Sequence, residues 1–138
     1  MRIKVLQNRR IVLGVTGGIA AYKAAALTSR LVQAGAQVDV VMTAAARKFI
    51  APLTFQALTH RQVYSDLFHL PAGQNIPHIA LADAADLLLI APATANTLAK
   101  IAHGLADNLL TAIALATPAP LLVAPAMETD MWRHPATQ

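Results

Sequence analysis

Four stretches of this 138-residue chain combine residue types and spacing able to do chemistry. The first, Gly14-Val15-Thr16-Gly17-Gly18-Ile19-Ala20, follows an apolar run and opens an Ala-rich one. A glycine turn between strand and helix leaves backbone N–H groups and a helix dipole facing outward, which suits an anion. The turn is neither G-x-G-x-x-G nor a Walker A loop, whose Lys-Ser/Thr pair is missing. A dinucleotide fold also wants an acid at the end of the second strand, to hold the ribose. Here that strand ends at Thr43, with Asp39 inside it. A phosphate or flavin turn therefore fits better than an NAD site, and a plain structural turn fits as well as either.

The second stretch is Pro92-Ala93-Thr94-Ala95-Asn96-Thr97, directly after the aliphatic run 87–90. Small and hydroxylated residues at the carboxyl end of a buried strand lie where open α/β sheets bind ligands, although Thr94 or Asn96 could simply cap a helix. The third centres on His78, placed just after Ile76-Pro77 at the start of a short element; a capping or half-buried histidine would look the same. The fourth, Pro125 to Trp132, flanks two acids with two methionines and the only tryptophan. It reads as a capped helix start, or as a loop beside a flat aromatic ligand, since methionine packs well on rings. The five histidines show no i,i+4 pair for a zinc helix, and without G-x-S-x-G a serine hydrolase is not indicated.

These stretches need elements to hold them. Runs 11–15, 38–42, 87–90 and 121–124 read as strands, and their aliphatic density without polar alternation suits burial on both faces. Helical patterns fall at 20–31, 43–49, 53–58, 78–82, 97–103 and 108–116. Ala34-Gly35-Ala36 closes the first of them in the usual glycine manner. Residues 61–64 read as a short edge strand and 67–77 as a loop. Strands alternating with helices predict one α/β domain over 1–138, with a parallel sheet covered on both faces.

Composition narrows the function. Only 13% of residues are charged and 56% are hydrophobic, which points to surface buried in an oligomer. With no cysteine, disulfides, thiolate metal sites and a cysteine nucleophile on this chain are excluded, and no metal is expected. The net charge of +4 owes much to Arg2, Lys4, Arg9 and Arg10, and no basic stripe or stacking platform suggests nucleic acid. Arg9-Arg10 before an apolar run mimics a twin-arginine signal, but glycines interrupt its core. The uncharged span 109–127 is broken by Pro118, Pro120 and Pro125, so no membrane partner is expected and the location is read as cytoplasmic.

Taken together, the segments resemble the flavin-dependent cysteine decarboxylase family, in its phosphopantothenoylcysteine decarboxylase branch. Residues 92–97 resemble that family's P-A-S-A-N-T motif with Thr94 for serine. Ile76-Pro77-His78-Ile79 resembles its histidine segment, and Pro125 to Trp132 its P-x-M-N-x-x-M-W motif with Glu128 for asparagine. Thr16-Gly17-Gly18-Ile19-Ala20 and Val41-Met42-Thr43 also match.

The resemblance implies a three-layer α/β/α sandwich, flavodoxin-like or Rossmann-like, binding FMN. Gly17, Gly18, Ile19 and Thr43 would hold the phosphate and ribityl end. Ala93, Thr94, Ala95, Asn96 and Thr97 would line the flavin, with Ala126 and Met127 beside it. His78 would be catalytic, and Met127 and Glu128 would meet the substrate, 4'-phosphopantothenoyl-cysteine, on its way to 4'-phosphopantetheine in coenzyme A biosynthesis. Family members form trimers or dodecamers with FMN between subunits. Two departures matter. Glu128 places a carboxylate where the family's asparagine holds the substrate carboxylate. The family's cysteine-bearing flap is expected beyond Trp132, so the domain is expected to be incomplete here. Other readings within the fold are a non-catalytic flavin-binding interaction subunit and a flavin prenyltransferase.

Overall fold

All four aliphatic runs become strands of one parallel sheet: β1 (Arg10–Val15), β2 (Gln37–Met42), β3 (Leu87–Ala93) and β4 (Leu121–Pro125). The computed structural model describes residues 4–68 and 77–138; most of the predicted loop 67–77, with His69 and Ile76, lies outside the described residues. Strand order is β2-β1-β3-β4, with every pairing parallel. In register, Ile11 stands beside Val38 and Leu87, and Leu88 beside Leu121.

The period-two alternation sorts β1, β2 and β3 onto two cores, whereas β4, expected to be buried on both faces, is an edge strand left largely exposed, with only Val123 packed against one of them. Ile11, Leu13, Val15, Val38, Val40, Met42, Leu89 and Ala91 pack against Ala21, Ala24 and Phe55 on one face. Val12, Val41, Leu88, Ile90 and Ala93 pack against Leu81, Ala82, Leu109, Leu110 and Ile113 on the other. The first group of helix residues belongs to α1 (Ala21–Gln33) and α2 (Pro52–Thr59). The second belongs to α3 (Pro77–Ala84) and α5 (Leu109–Ala116), with α4 (Ala95–His103) adding Leu98 and Ile101 beside them. The result is the expected three-layer α/β/α sandwich.

Helix ends follow local chemistry. Gly35, at φ +100°, takes the chain out of α1, as the glycine signal predicts. Asn108 and Thr111 form a reciprocal capping box at the start of α5, with Thr111 N donating to Asn108 Oδ1 at 2.8 Å. Mid-strand Gly14 lets α5 settle onto the sheet, because a Cβ there would lie 2.5 Å from the Leu110 side chain.

Two expectations shrink. The helical pattern at 43–49 yields only a 3-10 turn, Ala46–Lys48. Thr43 Oγ1 accepts from Ala46 N at 3.1 Å, and Pro52 starts a new helix before the turn can extend. The edge strand at 61–64 reduces to one parallel bridge, Val41 to Tyr64.

Asp39, buried at 2% exposure in β2, accepts from Arg61 Nε at 2.8 Å and Arg10 Nη2 at 3.1 Å. Two guanidiniums from neighbouring segments thus neutralise the one carboxylate inside the sheet. Its role is structural, which agrees with the missing ribose acid.

Candidate functional site

Parallel strands bring all their carboxyl ends to one edge, and there the topology opens a gap. From β1 the chain moves outward to β2, then returns past β1 to β3 and continues to β4. The connections leaving β1 and β3 therefore diverge, which makes a crevice between those two strand ends, the usual ligand position in open α/β sheets. A cavity of about 680 Å³ lies there, within the roughly 300–1,000 Å³ range of small-molecule sites.

Three segments wall it. After β1 come Gly17, Gly18, Ile19 and Ala20. The Gly17 turn presses on the segment after β2: a Cβ at Gly17 would lie 2.3 Å from the Ala45 Cβ and 3.0 Å from its carbonyl carbon. Only glycine fits, so the backbone itself forms this wall. Helix α1 starts without a side-chain cap and with no acid in its first turn, leaving its N-terminal dipole to attract an anion.

After β3 come Thr94, Ala95 and Asn96. Thr94 settles the choice of cap: its Oγ1 accepts from Thr97 N at 3.2 Å and opens α4, an arrangement worth about 1 kcal/mol. Asn96, one position into the helix, is exposed beside the cavity. The Ala91–Pro92 peptide is cis.

After β4 come Ala126, Met127 and Glu128, joined by Met131 of the short helix α6 (Thr129–Arg133). Ala126 N donates to Ala93 O at 3.1 Å, which fastens this wall to the previous one. Glu128 bears out the capped helix start read from the sequence. Its carboxylate accepts from Asp130 N at 3.0 Å, capping α6, while the residue also faces the cavity.

Of the residues singled out from sequence, Gly17, Gly18, Ile19, Thr94, Ala95, Asn96, Ala126, Met127 and Glu128 meet around this cavity. Ala93 and Thr97 are buried beneath its β3 wall rather than lining it. Thr43 stands behind the first wall, its N–H donating to Val15 O at 3.1 Å. His78 does not line the cavity. It lies in the first turn of α3, which runs down into β3, so it shares the carboxyl edge of the sheet. Its Nδ1 is closed off from solvent with no hydrogen-bond partner among the described residues. Sequence reasoning missed Ala20 and Met131 as lining residues. The first simply continues the glycine turn, and the second sits in the methionine-rich stretch already singled out.

The cavity joins an anion-attracting glycine turn to the apolar side chains of Ile19, Met127 and Met131, and its walls also carry the amide of Asn96 and the carboxylate of Glu128. A flat, apolar ring system with an anionic tail matches those walls.

The chain matches the flavoprotein family over residues 3–138. It is 54% identical over 134 residues to the coenzyme A biosynthesis bifunctional protein CoaBC of Bacillus subtilis (strain 168), covering 97% of this chain and 33% of that protein. It is 53% identical over 133 residues to the probable phosphopantothenoylcysteine decarboxylase of Streptococcus mutans serotype c, covering 95% and 74% respectively. Among solved structures, the FMN-dependent cysteine decarboxylase SpaF superposes with a TM-score of 0.89 at 38% identity, over 96% of this chain and 77% of that one. The chain thus spans about a third of the length of the bifunctional relative.

Proposed function

The chain belongs to the flavoprotein family, and from that premise we propose that its cavity holds FMN and serves the decarboxylation of 4'-phosphopantothenoyl-cysteine in coenzyme A biosynthesis. The observation that carries this reading is the cavity at the β1/β3 divergence, walled by the Gly17-Gly18 turn and by Met127 and Met131. The fit rests on the Gly17 turn, where no side chain has room, and on the uncapped start of α1. Gly17, Gly18 and Ile19 would take the phosphate, with Thr43 behind them. Ala95 and Asn96, held by Ala93, Thr94 and Thr97, would line the ring with Ala126 and Met127. Bound flavin supplies a hydride acceptor, which lets the thiol-bearing carbon be oxidised so that the neighbouring carboxylate can leave as CO2.

The chain's own residues do the rest. The imidazole of His78 takes the thiol proton, the general-base role that histidine most often fills. Because His78 lies outside the cavity of its own chain, a neighbouring copy brings it in. That accords with a homotrimer or homododecamer in a cytoplasmic setting. Support comes from apolar side chains left showing: Ile19 at the cavity, and Tyr22, Phe49 and Leu53 elsewhere, are all more than half exposed. No helix among the described residues is long and apolar enough to cross a membrane. Met127 and Glu128 flank the substrate.

The test has two stages. Purified protein is expected to carry flavin absorbance, or to take up added FMN; failure of both overturns the reading. Phosphopantothenoyl-cysteine is then expected to release CO2, and the product mass should fall by that amount, with or without the two hydrogens of the final reduction. Flavin uptake without CO2 release would favour a flavin-binding interaction subunit instead, for which Glu128 in the cavity wall supplies a physical reason.

A further inference from the structure

We infer that Thr16 is a positioning residue for the flavin site: its hydroxyl sets the gap between the β1 and β3 walls. This rests on the flavin reading above and deepens it. The backbone ladder between β1 and β3 ends at Gly14 and Ile90, because the two connections must then part to make the crevice. Beyond that point a side chain takes over. Thr16, fully buried, donates its Oγ1 hydrogen to Pro92 O, and the same oxygen accepts from Thr94 N at 3.0 Å.

A hydroxyl has one donor and two acceptor positions, and this one is used in both senses. It spans 76 and 78 residues of sequence with one atom. Its two partners flank Ala93, where the chain leaves the sheet. The effect passes onward through local bonds. Thr94 Oγ1 caps Thr97 N and donates to Thr97 Oγ1 at 3.1 Å, so the direction of α4, and with it Asn96, follows from where Thr94 is held. On the other side, Thr16 O accepts from Gly18 N at 3.0 Å, fixing the glycine turn. One residue therefore holds the anion wall by its backbone and the ring wall by its side chain. Thr16 does not itself line the cavity.

Thr16→Val keeps the branched shape and volume while deleting both hydroxyl bonds, and Thr16→Ser keeps the hydroxyl. Flavin titration should show the dissociation constant of Thr16→Val raised about tenfold or more, the scale expected when buried polar groups lose their partner. Thr16→Ser should stay close to wild type. The visible absorption band of bound flavin should shift in Thr16→Val and not in Thr16→Ser. A variant of similarly lowered melting temperature made inside the core, Ile113→Val, separates positioning from general destabilisation, and it should bind flavin as wild type does. Hydrogen exchange at the wild-type Thr94 amide needs no variant at all: slow exchange is expected, and exchange at open-loop rates overturns the inference even if Thr16→Val does not fold. An unchanged dissociation constant and band in folded Thr16→Val overturns it as well. Wild-type protein that takes up no flavin would instead remove the reading on which it rests.

Discussion

At the scale of single residues, the site divides into groups that touch the cavity and groups that hold those in place. Gly17 is an example of the first kind whose contribution is an absence, since any side chain would collide with Ala45. His78 is the residue whose placement carries a mechanistic consequence. Because it sits outside its own cavity, its loss should leave the cofactor site intact. His78→Asn is therefore expected to retain flavin with an unchanged absorption band while CO2 release falls by about 10²–10⁴-fold, the usual scale for a positioned acid–base group. Loss of flavin in that variant, or turnover near wild type, would contradict the assigned role. His78, the glycine turn and the stretches 92–97 and 125–132 could all be picked out in the sequence because proline, glycine and methionine mark them locally. Thr16 could not. Its partners lie 76 and 78 positions away, and nothing in its own neighbourhood signals a bond across the sheet.

At the scale of elements, all four strands were legible as short uninterrupted aliphatic runs bounded by turn residues, and β1, β2 and β3 are buried as such runs require, while β4 at the sheet edge stays largely exposed. The stretch 43–49 misled because helix propensity says nothing about what a following proline stops, and Pro52 limits it to a single turn. The one bridge at Tyr64 shows the reverse case, where tertiary packing rather than pattern makes the element. Tyr64 N donates to Val40 O at 2.9 Å, and Met42 N to Tyr64 O at 2.8 Å. Its phenol is pushed above its ordinary pKa first by burial and then by Asp39, against the opposing pull of Arg61 and Arg10. A raised folded pKa means that the native state keeps its proton longer than the unfolded chain. The associated stability is complete below about pH 10, the ordinary phenol value, and is lost as pH climbs through the folded pKa. Melting temperatures measured from pH 9 upward should accordingly fall less steeply in Tyr64→Phe than in wild type; parallel curves would show that the phenol does not contribute.

At the scale of the whole molecule, the sandwich and its parallel sheet were readable from alternation alone, whereas strand order was not. No local pattern states that β3 pairs with β1 rather than β2, and that choice is what creates the crevice. The cavity walls come from behind three different strands, with a fourth connection braced against them through Ala45. A partly registered sheet has no such cavity, so a ligand can recognise only the finished fold. By mass action, flavin at about a hundred times its dissociation constant would add roughly 2.7 kcal/mol to the unfolding free energy. Melting temperature should consequently rise with the logarithm of flavin concentration, and a curve insensitive to flavin would mean that flavin does not favour the folded state over the unfolded chain. The same property makes the yellow colour of the bound cofactor a gauge of register: chains whose strands have paired out of step stay colourless, however compact they are.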